Sequence, residues 1–250
     1  MSTIKQNLKT GWTWTWECLK RSIISLIMYM TLSLVLFMFT NQDQAWTEGL
    51  TSSRLWLCVA LGLGAVIYHG VASYVEGGNG YDMLVAGNMK RMASEGGIRM
   101  SSHKEQKEYR AWKGFAIGGL VCLVTLITAI VWGDNQGAID QVLRTDLDGE
   151  VSMGLRVTMF LGMFLWGWAT LPFMFLNAGG TFVSYYLIAL IGILPVVVSG
   201  AGYIIGAYAR RGKKLARQEA DARAAEAAEA AKAQKINYGG LPGAKPNKKK

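Results

Sequence analysis

Five long stretches of this chain contain no Asp, Glu, Lys or Arg: residues 23–40, 55–75, 114–132, 157–176 and 182–208. A bilayer core is about 30 Å thick and takes roughly 20 apolar helical residues to cross. A soluble chain of 250 residues could not cover so many uninterrupted apolar helices. The expected fold is therefore all-α, a polytopic transmembrane helical bundle of about five membrane segments, the last of them broken by Pro and Gly. An N-terminal part, 1–22, should lie in the cytosol or at the interface. The bundle proper should span 23–208, with a cytosolic juxtamembrane loop at 76–113, and 209–250 should form a basic tail. Neither the loop nor the tail is long enough to bury a core of its own.

The charge balance of +9 is concentrated at one end of the chain, because twelve of the 26 Lys and Arg residues follow Tyr208. Such a tail suits anionic lipid headgroups. Nucleic acid is the weaker partner, since no aromatic-rich basic module accompanies the charge. Cys18, Cys58 and Cys122 have unrelated spacings and read as small buried hydrophobes. Lys20-Arg21 before the first apolar run resembles the start of a signal peptide. No small-x-small cleavage site follows, so the run is expected to stay as the first span.

Positive charge in short loops favours the cytoplasmic side. Lys5, Lys9, Lys20 and Arg21 precede the first span, and seven Lys and Arg residues lie in 76–113. The intervening 41–54 loop has only Arg54, and the acidic 133–156 loop has Arg144 and Arg156. Four spans thus alternate cleanly. A fifth crossing would place the twelve tail charges outside, whereas an even number of crossings would leave 23 charges inside and three outside. Segment 182–208 holds Pro195 and then Ser199-Gly-Ala-Gly202. It is either a helix kinked at Pro195 or a re-entrant segment turning at 199–202; the short half-lengths favour the kinked crossing.

Trp12, Trp14, Trp16, Trp46, Trp56, Trp112 and Trp132 sit at or near span ends, where indole rings anchor a chain at the headgroup level. Residues 81–92 mix Met, Leu and Val with Lys and Arg, as does a short helix lying flat in the interface. Ser102-x-x-Glu105 has capping-box spacing and should start a second juxtamembrane helix leading into span three. In the tail, Glu219 with Arg223 and Glu229 with Lys232 suit a solvated or partner-bound helix, followed by a disordered end.

Chemical motifs are sparse. His69 is the only imidazole in a span, and Glu76 lies two helical turns further on the same face, so the pair is a candidate polar intramembrane site. Asp146, Asp148 and Glu150 alternate without the glycine or terminal Glu of a calcium loop. The 76–80 glycine run lacks the Lys-Ser/Thr of a phosphate loop. No catalytic, cofactor or metal residues are assigned. Gly114 with Gly118, and Gly202 with Gly206, form small-xxx-small faces for close helix packing. Pro172 and Pro195 are the candidate helix breaks. The chain is expected to be a non-enzymatic integral membrane protein, an accessory or scaffold subunit in a bacterial cytoplasmic membrane, packed against other subunits or itself. The alternative is a small transporter or channel that uses the broken fifth segment.

Overall fold

The structure, a computed structural model, describes residues 2–40, 52–96, 104–144, 152–178 and 180–238. It is helical, with no strand among the described residues. The helices are α1 (Ser2–Thr40), α2 (Ser52–Glu95), α3 (Trp112–Asp134), α4 (Gln136–Arg144), α5 (Met153–Ala178) and α6 (Ile188–Tyr238). Five of them, all but α4, are long and apolar enough to span a membrane. The chain divides into two units at Ala207, and the bundle is the first, residues 1–207.

Four helices run the length of that bundle, and their order of contacts fixes their directions. On α1 and α2, Tyr29 meets His69 and Arg21 meets Glu76, so the two are antiparallel. On α3 and α6, Gly192 faces Thr125 and Gly114 faces Ser199, again antiparallel, and Gly133 faces Tyr186 in the 3-10 turn just before α6. One end of the bundle, the basic end, therefore gathers Arg21, Glu76, Lys113 and Tyr203. The other, acidic end gathers Trp132, Asp134, Asp140 and Tyr185. There Tyr185 donates to Asp140 Oδ1 at 3.0 Å and Tyr186 to Asp134 Oδ1.

The remaining apolar helix, α5, does not run end to end. Trp166 leaves helical geometry (φ −132°, ψ 19°). The Thr170 hydroxyl reaches the Gly162 carbonyl at 3.4 Å, although residues eight apart on a straight helix are about 12 Å apart along the axis. The first arm begins at the acidic end, where the Phe160 and Phe37 rings are 6.3 Å apart and Gly162 lies against Trp132. The second arm finishes at that same end. Asn177 exchanges two hydrogen bonds with Val183, whose carbonyl also accepts from Gln136 just beyond α3. Helix α5 is thus a re-entrant hairpin whose tip, Trp166–Trp168, meets the middle of α1 and α3.

The expected break lies in a different place from the one the sequence suggests. Helix α6 continues through Pro195 and through 199–202. Its glycines are small because neighbours approach them: a Cβ on Gly200 would meet the Phe115 ring, and one on Gly202 would lie 2.5 Å from the Gly70 carbonyl. Pro172 does lie inside the broken helix, after the kink at Trp166. The charge conflict disappears with this arrangement. The N-terminus, the loop between α2 and α3, and the point where the chain leaves the first unit all lie at the basic end.

Two further expectations change. Residues 81–92 are not a separate flat helix but the continuation of α2, whose 44 residues extend about 66 Å. The glycine run stays helical because α6 and the strap before α3 pack on its surface. A Cβ on Gly77 would fall on the Tyr203 backbone, and the Gly80 carbonyl accepts from Tyr109 N at 2.9 Å. Of the expected second juxtamembrane helix, the described part holds only the 3-10 turn Glu105–Lys107. Side chains hold that strap instead, with Arg91 bonded to Glu108 at 2.9 Å and buried Lys113 donating to the Gln106 and Glu108 carbonyls. Residues 136–144 of the acidic loop form α4, whose Ile139 is fully buried. Trp46, Ser102, His103, Asp146, Asp148, Glu150 and residues 239–250 lie outside the described residues. The second unit is helical to Tyr238, with Glu219 and Arg223 3.9 Å apart on its exposed surface.

Candidate functional site

The hairpin tip is the most polar place in the apolar core. A helix that starts afresh inside a bundle presents N–H groups with no partner in their own helix. Here Trp168 N donates to Ser33 Oγ of α1 at 3.3 Å. Ser33 in turn donates to the Tyr29 carbonyl at 2.8 Å. Thr170 Oγ1 bonds the Trp166 carbonyl at 3.2 Å, and Trp166 Nε1 donates to Thr125 Oγ1 of α3. The residues 166–175 are buried without interruption. Irregular backbone at membrane depth is tolerated only when protein or water covers it, and here α1, α2 and α3 pack against it.

Tyr29 is the centre of the cluster. Its ring stacks on Trp168 at 4.7 Å, and its hydroxyl lies 3.2 Å from His69 Nδ1 of α2. His69 is 1% exposed and Trp168 3%. Neither His69 Nε2 nor Trp168 Nε1 has a hydrogen-bond partner among the described residues. Two unpaired donors or acceptors in apolar surroundings are costly, of order 1–3 kcal/mol each, and such positions suit a small polar guest. Among the described residues the groups that meet at the tip are two indoles, a phenol, an imidazole and three hydroxyls, with no Asp, Glu, Lys or Arg.

The residues singled out in the sequence fall in three places. His69 and Glu76 both face α1 but are not brought together. His69 is deep beside Tyr29, while Glu76 pairs with Arg21 at 2.9 Å at the basic end, where Arg21 also holds Glu17 at 3.1 Å. Gly114, Gly118, Gly202 and Gly206 all lie at helix crossings of α6 with α2 or α3. A Cβ on Gly118 would sit 2.6 Å from the Pro195 carbonyl, and one on Gly206 would fall on the Tyr74 backbone. A third cluster, Ser73 Oγ with Ser199 Oγ at 3.0 Å and Ser199 with the Gly114 carbonyl at 2.8 Å, ties α2, α6 and α3.

Among the described residues no three His, Cys, Asp or Glu side chains converge as metal ligands would. Cys18 and Cys58 are buried thiols. Sequence reasoning passed over Tyr29, Ser33, Thr125, Trp166, Trp168 and Thr170. The available signal was the 157–176 segment itself, where Gly162, Gly167, Pro172 and two closely spaced tryptophans share one span. No family model, curated protein or solved structure matches this chain.

Proposed function

We propose that this protein is a small membrane channel or transporter for an uncharged, hydrogen-bonding solute, with the re-entrant α5 as its central element. The observation that carries this reading is the hairpin tip, ending in mid-bundle beside the unpaired His69 Nε2 and Trp168 Nε1. Discontinuous helices with free backbone and side-chain polar groups at the midplane are how membrane proteins build solute sites. The absence of acidic or basic side chains around the tip favours a neutral solute over an ion. In this conformation the tip is packed shut, so passage requires the hairpin to move relative to α1.

Proteoliposomes test the reading directly. Shrinkage assays with glycerol, urea and formamide should show permeation of at least one above protein-free vesicles. Trp168→Phe, which removes the indole N–H and keeps an aromatic ring against Tyr29, should change that rate. Identical rates with and without protein for all three solutes would overturn the proposal. A second reading, an accessory or scaffold subunit, is favoured by the α6 extension, exposed almost throughout from Gly212 to Lys232. That reading expects a stoichiometric partner after mild solubilisation and no flux.

A further inference from the structure

At the basic end, α1 and the strap around Glu105–Lys107 enclose an open pocket of about 330 Å³. Trp12, Trp16 and Lys20 line it from α1, and Lys104, Gln106 and Lys107 from the strap. The volume is at the lower end of the roughly 300–1,000 Å³ typical of small-ligand sites. We propose that this pocket binds the phosphate of an anionic phospholipid, with the acyl chains lying along the exposed Ile23, Ile24 and Ile27 of α1. The proposal is independent of the solute-passage reading.

Three observations carry it. None of the three lysines has a carboxylate partner among the described residues, while the one acid in the wall, Glu17, is already held by Arg21 at 3.1 Å. The pocket therefore presents uncompensated positive charge. Its aromatic side is placed for a membrane interface, since Trp12 and Trp16 are 68% and 45% exposed and would otherwise be large apolar rings in water. Lys20 Nζ stands 5.4 Å over the Trp16 ring, which holds the ammonium at the pocket rather than free in solvent. Finally, Ile23, Ile24 and Ile27 follow Lys20 on the same face of α1, one and two turns further along, and are 42%, 68% and 54% exposed. A soluble phosphate would gain from the lysines alone, whereas a phospholipid also covers these side chains.

The strap is fixed from behind, which makes the pocket a built feature and not a chance gap. Buried Lys113 donates to the carbonyls of Gln106 and Glu108 and lies 4.4 Å over the Trp14 ring. The Arg110 guanidinium also lies over that ring, 4.4 Å from its centre. Arg91 of α2 pins Glu108. The lysines at positions 104 and 107 are thereby carried to the wall opposite Lys20.

Native mass spectrometry of the full-length protein in mild detergent tests the proposal, with phosphatidylglycerol, phosphatidylcholine and glycerol phosphate as probes. Phosphatidylglycerol should be retained where phosphatidylcholine and glycerol phosphate are not. The double variant K20Q/K107Q should weaken it about thirtyfold, as expected for removing two charges near an anionic surface. Lys104→Gln alone, on an exposed strap position, should weaken it less. The variant K213Q/K214Q in the tail should bind like the parent. Equal retention by K20Q/K107Q, loss in the tail variant instead, or binding of glycerol phosphate as tight as that of the lipid would each overturn the proposal. Unchanged melting of K20Q/K107Q without lipid separates lost binding from lost folding.

Discussion

Gly118 and Gly119 are adjacent in sequence and opposite in surroundings. A Cβ on Gly118 would lie 2.6 Å from both the Pro195 carbonyl and Val196 Cα, whereas one on Gly119 would meet nothing within 4 Å. Backbone cannot yield as a side-chain end can, so Gly118→Ala should destabilise the detergent-solubilised protein by about 1–3 kcal/mol. Gly119→Ala should be neutral or stabilise by up to about 1 kcal/mol through helix propensity. Equal melting of the two variants would mean that α3 and α6 are not in this contact. The glycine spacing was readable in the sequence because 3.6-residue periodicity puts positions 114 and 118 on one face. The partner of His69 was not, because Tyr29 lies 40 residues away and only the antiparallel packing of α1 on α2 brings it within 3.2 Å. Tyr29→Phe should cost about 1 kcal/mol in unfolding measurements, since it leaves a second histidine nitrogen unpaired. A variant that melts with the parent would remove the Tyr29–His69 bond from the account.

At the scale of the element, α5 is the helix whose length misleads. Its 26 residues are enough for one crossing, yet the chain folds back at Trp166. Two arms of about 12 residues each reach roughly 18 Å, a little more than half of a 30 Å core. Cysteines placed at the exposed positions Met153 and Thr181, in a background without the three native cysteines, should therefore react with a membrane-impermeant thiol reagent from the same side. Labelling from opposite sides would show a straight crossing instead. Proline was a poor guide to this element. Pro195 removes one backbone hydrogen bond from α6, and the packed neighbours α2 and α3 keep the rest of the helix in place. The kink at Trp166 arises where outside groups take over the backbone and indole bonds, Ser33 receiving Trp168 N and Thr125 receiving Trp166 Nε1. No residue within the segment announces those partners.

At the scale of the whole molecule, one hairpin and four end-to-end helices put an even number of crossings between the first residue and Ala207. Both termini of the bundle then lie on one side of the membrane. A reporter active only in the cytosol should give the same result whether fused before Met1 or after Lys250. Opposite results would require a fifth crossing and would remove the hairpin. The arrangement also accounts for the distribution of charge, since Arg54, Arg144 and Arg156 are the only three of 26 basic residues in the loops of the acidic end. Positive residues favour the cytoplasmic side, which assigns the basic end to the cytosol as an expectation for the same fusions to check.

The sequence by itself determined that this chain is a bundle of apolar helices, because uncharged runs of such length have no other stable environment. It also carried the close-packing glycines, through helical periodicity, whereas the asymmetry of Lys and Arg argued for an even number of crossings and segment length argued for a kinked fifth one. Only the tertiary structure decided which segment turns back. A straight and a folded α5 have the same apolar composition and the same length, so neither property separates them. What separates them is whether the backbone groups freed at the turn find partners, and Ser33, Tyr29, His69 and Thr125, contributed by three other helices, meet at the tip only once the bundle has formed.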